Sequence, residues 1–197
     1  MKASIQVIGL AGTNGAGKDS VGEVLAEHNN YLFISVTDLL RDELERRGLP
    51  PAREHMRELS AQWRRELGLG VLVDKAISEY DKVRDQYAGI AIASIRNPGE
   101  ADEIHALGGS MVWVDADPHV RYDRVTSALR HERRAVDDQK TFEQFLADEE
   151  TEMHRAAGAD AATLDMSSVK ARCDITIDTT GIPLEGMPTL VTQALGL

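Results

Sequence analysis

A chain of 197 residues, 42% hydrophobic and 28% charged, can close one core without disulfides or a structural metal and is too apolar for disorder. Its 22 basic against 33 acidic side chains give a net charge of −11, a field that disfavours nonspecific binding to nucleic acid or to an anionic membrane. The longest dense apolar run is about eight residues, short of the roughly 20 that a membrane span needs; the single cysteine, Cys173, permits no internal disulfide and fits a reducing cytoplasm. An anionic ligand is therefore expected only where cations or backbone N–H groups gather locally.

Residues 1–10 carry one Lys2 before an apolar run that leads straight into glycines, which reads as a first strand and not as a leader. Further short β-branched or continuously apolar runs at 31–36, 89–94, 111–115 and 175–178 predict four more strands, and the unbroken apolar runs 90–93 and 111–114 predict two that are covered on both faces. Helical spacing fills the gaps. Val21, Val24 and Leu25 share a face, as do Met56, Leu59, Trp63 and Leu67, and later Phe142, Phe145, Leu146 and Met153. Asn97-Pro98-Gly99-Glu100 and Asp117-Pro118 open helices, Thr141 to Gln144 has capping-box spacing, and Gly48 with Pro50 and Pro51 separates two helices. The alternation predicts an α/β fold, a parallel sheet between helical layers, in a single domain over 1–197. No internal repeat or linker is evident, and the polar stretches 130–140 and 155–172 are the expected mobile segments.

Between the first strand and its helix lies Gly12-Thr13-Asn14-Gly15-Ala16-Gly17-Lys18-Asp19-Ser20. The spacing Gly-x4-Gly-Lys is that of a phosphate loop, in which glycines let successive N–H groups curl inward around phosphate oxygens at a helix N-terminus. Gly12, Asn14, Gly15, Ala16, Gly17, Lys18, Asp19 and Ser20 are the phosphate-binding candidates, and Lys18 would reach the β- and γ-phosphates of ATP. Ser or Thr usually follows the lysine to meet Mg²⁺. Here Asp19 stands there and Ser20 comes next, so either oxygen could serve the ion.

Ser35-Val36-Thr37-Asp38-Leu39-Leu40-Arg41 resembles the start of the acceptor helix in adenylate kinase and related nucleoside monophosphate kinases. The resemblance implies that Asp38 and Arg41, one turn apart, hold an acceptor phosphate, with Asp38 as a further Mg²⁺ candidate; a plain capped helix start is the alternative. Arg96, after the third strand, matches an acceptor-phosphate arginine of the same family; pairing with Glu100 or Asp102 is the alternative. No aspartate ends that strand. Arg121, Arg124, Arg130, His131, Arg133 and Arg134 gather the cations of a short lid at about 121–140, where Arg124 and Arg130 are the catalytic candidates beside Lys18. The stretch from Val114 to Arg121 and the run from Asp174 to Gly181 resemble dephospho-coenzyme A kinase, which implies Arg121 on the adenine side with Thr180 and Gly181 as backbone contacts there; a plain strand-to-helix turn before Pro183 is the alternative for the last two.

The resemblance implies a three-layer α/β/α P-loop fold with a five-stranded parallel sheet in the order 2-3-1-4-5, a helical acceptor cover at 38–83, and ATP with Mg²⁺ as cofactors. The expected activity is γ-phosphoryl transfer to a small nucleotide-like acceptor, a (deoxy)nucleoside monophosphate first and dephospho-coenzyme A second, by a monomer or homodimer. A nucleotide-dependent switch or regulatory ATPase, or a phosphate loop that binds without catalysis, is the competing expectation. No Asn-Lys-x-Asp guanine motif occurs. The six histidines lack ligand spacing, so no zinc site is expected.

Overall fold

A computed structural model describes residues 6–127 and 141–197. Five parallel strands, β1 (Gln6–Ala11), β2 (Tyr31–Ser35), β3 (Gly89–Ala93), β4 (Ser110–Asp115) and β5 (Ile175–Asp178), form one sheet in the order β2-β3-β1-β4-β5. Fold class, strand positions and strand order thus agree with the expectation. The strands end within two residues of the predicted limits.

Period-two alternation explains the layers. Val7, Ile90, Ile92, Met111 and Trp113 point to one face, where they pack with α2 (Val36–Arg46), α3 (Arg53–Leu67), α4 (Val71–Asp81), α5 (Pro98–Ala106) and the short α8 (Met166–Lys170). Ile8, Leu10, Ala91, Ala93, Val112 and Val114 point to the other, against α1 (Lys18–Asn29) and α9 (Met187–Leu195). α6 (Pro118–Thr126) and α7 (Phe142–Met153) pack on each other beyond β4, where Phe142 stacks on His119 at 4.1 Å. The caps form as their spacing predicts: Asn97 with Glu100 and Thr141 with Gln144 are capping boxes, and the Asp117 carboxylate accepts from His119 N–H. α2 starts at Val36 with Ser35 in the N-cap position, and Thr37 lies inside the helix.

Two expectations fail on packing. The polar stretch 155–172 is not loose: Ala162, Met166 and Val169 are buried, and Asp165 caps α8 by accepting from Ser168 N–H. Leu67 ends its apolar stripe 60% exposed, because α3 stops there. Among the described residues no helix is long and apolar enough to cross a membrane.

Candidate active site

The carboxyl ends of β1, β2 and β3 open onto a crevice of about 1280 Å³, above the usual single-ligand range of about 300–1,000 Å³. A parallel sheet places its ligand crevice at this edge. The phosphate loop forms one end. Gly12 (φ 141°) and Gly15 (φ 78°) hold backbone angles that side chains rarely adopt, and a Cβ would fall 2.1 Å from Val114 O and 2.5 Å from Arg121 O respectively. The loop therefore lies directly on the backbone of β4 and α6, and only glycine fits. Gly17 is the N-cap of α1 and supplies no side chain, so the first-turn N–H groups of this 12-residue helix carry no side-chain cap. Nζ of the buried Lys18 donates to Thr13 O at 2.6 Å, folding the ammonium over the loop. This cradle fits a polyphosphate.

Asn14, Gly15, Gly17, Lys18, Asp19 and Ser20 line the crevice. Gly12 lines a separate small cavity and not the crevice, and Ala16 is buried in the core on the α1 side, so its methyl group faces away from any ligand. Asp38, on the first turn of α2, also lines the crevice. Asp19, Ser20 and Asp38 thus bring oxygen donors to one cavity, and among the described residues no three His, Cys, Asp or Glu cluster for a metal. Such a donor set fits Mg²⁺, which keeps waters and shares its shell with phosphates. At the end of β3, where no aspartate occurs, Ser94 holds φ 68° and its hydroxyl lies 3.5 Å from that of Ser35.

The opposite wall is basic. Arg41 donates to Asp38 Oδ1 at 2.5 Å, and the pair faces the crevice. Arg96 does not pair with Glu100 or Asp102 through its guanidinium; its backbone N–H donates to Glu100 Oε2 at 2.9 Å, while its side chain donates to Glu152 Oε2 at 2.7 Å. Arg57 donates to Glu152 Oε1 at 2.7 Å. Burial pushes the Glu152 carboxyl up, but the charge of Arg96, the hydrogen bond and charge of Arg57 and the charge of Arg53 outweigh it and leave it below the ordinary range. Behind this pair Arg64 donates to Glu100 Oε1 through Nε at 2.9 Å and Nη2 at 2.6 Å, with both side chains almost wholly buried. Of the expected acceptor cover, α2 and α3 face the crevice; α4 does not, because Leu72, Val73 and Ala76 are spent on the core.

The expected lid and adenine contacts divide. Arg130, with the rest of 128–140, lies outside the described residues. Arg124 lines the crevice, donating to Gly15 O at 3.2 Å and to Thr179. Arg121 is corrected: it is buried, its Nε donates to Ala116 O at 2.9 Å, and its two Nη atoms grip Glu149 of α7, so it faces α7 and not the crevice. Thr180 and Gly181 lie between crevice-lining residues without lining it themselves. The Thr180 hydroxyl accepts from Asp117 N–H at 2.8 Å, and the crevice wall there is made by Thr179, Ile182, Pro183 and Leu184.

Reading the sequence missed Glu152, Arg57, Arg64 and Thr179. Arg57 had a signal, since it follows Arg53 by four residues and recurs with Arg64 on one face of a predicted helix. Glu152 had none.

An AAA domain family model matches residues 8–153. Among curated relatives, a UPF0200 protein of Pyrobaculum aerophilum is 31% identical over 144 residues, covering 72% of this chain and 74% of its own. A UPF0200 protein of Pyrococcus abyssi is 26% identical over 163 residues, covering 81% and 84%. Among solved structures, shikimate kinase from Bacteroides thetaiotaomicron has a TM-score of 0.59 at 14% identity, covering 98% of this chain and 99% of its own. A gluconokinase from Sinorhizobium meliloti has a TM-score of 0.51 at 18% identity, covering 99% and 94%. The fold is therefore that of small-molecule kinases, and the chain belongs to the AAA domain family and, through its Pyrobaculum relative, with the UPF0200 proteins.

Proposed function

We propose that this protein transfers the γ-phosphoryl group of ATP to a small anionic acceptor. The observation that carries the reading is one crevice with an amide-lined phosphate cradle at one end and Arg41, Arg57 and Arg96 at the other. One crevice can thus take two anionic groups, one at the loop with Lys18 and one at the arginines. An acceptor oxygen attacks the γ-phosphorus, the bond to the β–γ bridging oxygen breaks, and ADP leaves. An ionised acceptor phosphate brings no proton to remove; a hydroxyl acceptor would hand its proton to the Asp38 carboxylate. Mg²⁺, when bound, neutralises phosphate oxygens, and Ser20, Asp19 and Asp38 are the residues to hold it. Lys18 fixes the transferring group, Arg124 ties the loop beneath it, and Arg41 and Arg96 orient the acceptor.

A nucleoside monophosphate is the acceptor this reading names first, supported by the Ser35-to-Arg41 segment, with dephospho-coenzyme A second. A hydroxylated carboxylic acid is a further reading. Arg57 and Arg96 already hold a carboxylate, that of Glu152, and the Acinetobacter baumannii structure of similar fold is a shikimate kinase in complex with shikimate.

A coupled ADP-release assay across nucleoside monophosphates, dephospho-coenzyme A, shikimate and gluconate tests the proposal. ADP release should require one of these acceptors and vanish in Lys18→Ala. Release at the same rate without any acceptor would make the protein an ATPase or switch.

A further inference from the structure

Two ion pairs stand on one face of α3, seven residues or about two turns apart, and they are built differently. Arg64 engages Glu100, Ser60 and Ala162 through all three of its nitrogens, and its carboxylate partner also receives the N–H groups of Arg96 and Asn97. Arg64 and Glu100 side chains are 2% and 0% exposed. That pair is locked. Arg57 and Arg96, from α3 and from the loop after β3, instead converge on Glu152 with one N–H to each oxygen, Nη2 to Oε1 and Nη1 to Oε2. Their side chains remain 52% and 27% exposed toward the crevice.

A carboxylate between two guanidinium groups is what an acceptor's anionic end would be. We infer that Glu152 is an internal anion seated in the acceptor's own anion subsite, and that a phosphate or carboxylate group of the acceptor takes its place between Arg57 and Arg96. The inference rests on the phosphotransfer reading for the use of the subsite, not for its existence. Each arginine still has a second face of its planar fork to offer, and oxyanions prefer such two-point contacts. Glu152 is placed so that it can leave without taking its helix along, once an incoming anion replaces its contacts with Arg57 and Arg96. It sits in the last turn of α7, whose buried residue is Phe145 and which Glu149 ties to Arg121 one turn away, so a change of Glu152 rotamer vacates the subsite without unseating the helix. While it stays, one of the two guanidinium charges is compensated, and the empty crevice holds stray anions less tightly. Glu152 thus sets a threshold: the acceptor's anion must out-compete a tethered carboxylate, which favours doubly charged or chelating groups over single weak ones.

The test titrates the full chain calorimetrically with inorganic phosphate and, in a second arm, with malonate. Glu152→Gln keeps the side-chain length but removes the competing charge, so phosphate or malonate should bind about tenfold more tightly than to the parent. Glu152→Asp, one methylene shorter, keeps the charge but loses the reach to both arginines and should give a smaller gain. Adding Arg57→Ala to Glu152→Gln should erase the gain, which separates this subsite from the phosphate loop. The arm that tightens identifies the anion: phosphate alone, carboxylate alone, or both. Unchanged or weaker binding of both anions in both Glu152 variants would mean that the carboxylate orders the arginines, and the inference would fall. The kinase reading fails separately: a tightened anion site in a chain that releases no ADP with any acceptor keeps the subsite and removes the phosphotransfer.

Discussion

Arg124 and Thr179 are joined twice, Nη1 to Oγ1 and Nη2 to the backbone carbonyl, both at 2.9 Å. The Thr179 hydroxyl passes the link on by donating to Ala16 O at 2.9 Å, and Arg124 also reaches Gly15 O. An arginine of α6 and a threonine after β5 thereby fix the floor of the phosphate loop, which glycine backbone alone would leave free.

Thr179→Val keeps the shape and deletes the hydroxyl, leaving Ala16 O and one Arg124 nitrogen without that partner at a buried site. The expected loss is about 1–3 kcal/mol of stability and a KM for ATP raised more than that for the acceptor. Thr179→Ser should retain both. Urea unfolding and the two KM values read the outcome; a valine variant equal to the parent in both would detach this link from the loop.

The Arg64–Glu100 pair predicts a larger effect. Removing one member of a wholly buried ion pair strands the other charge, and typical losses are about 3–5 kcal/mol. Glu100→Gln should therefore lower the urea midpoint strongly and, because Glu100 also receives the Arg96 N–H, disturb acceptor binding. The double replacement Arg64→Met with Glu100→Gln should recover part of the stability, since no charge is then left buried. A loss under about 1 kcal/mol in the single variant would mean that water reaches the pair.

What the sequence made legible follows from range. β1, the glycine loop and α1 are contiguous, so strand pattern, glycine spacing and the Val21–Leu25 face report on each other within 20 residues. The caps of α5, α6 and α7 are equally local. Contacts between distant segments left no such trace: Arg96 and Glu152 are 56 residues apart, and Arg124 and Thr179 are 55 apart. α8 has five residues, too few for a helical period, so its buried Met166 and Val169 were hidden in a polar stretch. Arg121 looked like a ligand residue because its charge is visible in the sequence and its partner Glu149 is not.

Arg41 gives a prediction specific to the acceptor half. It lies on α2, lines the crevice and pairs with Asp38 across one turn. Arg41→Ala should raise the acceptor KM about tenfold with a change under about twofold for ATP. Equal effects on both substrates would remove Arg41 from the acceptor's site.

Cys173 should be chemically quiet. Burial, and then the Asp174 charge, push its thiol up to about 12 against an ordinary 9.0, with Lys170 only partly offsetting them, and Sγ donates to Val169 O at 3.4 Å. At pH 8 the thiolate fraction falls about 1,000-fold. A disulfide reagent should label the folded chain far more slowly than the urea-unfolded one. Labelling at the unfolded rate would place the thiol in solvent.

Acid should weaken the fold through carboxylates held below their ordinary values. For Asp174, burial raises the pKa, but the Met111 N–H and the His105 side chain outweigh it; for Asp165, burial is outweighed by the N–H and hydroxyl of Ser168 and by the Ser167 hydroxyl; Glu152 is lowered despite burial by its arginines. A depressed folded pKa contributes stability that is complete above the unfolded value and is lost as pH falls through the folded one. With ordinary values of 3.8 for the aspartates and 4.5 for Glu152, the urea midpoint should hold steady down to about pH 5 and decline below about 4.5. Asp174→Asn should lower the midpoint at pH 7 and flatten the acid decline, because the Met111 N–H and His105 then face a group that no longer titrates. A variant that loses stability equally at pH 7 and pH 3.5 would show that Asp174 acts through its shape and not its charge.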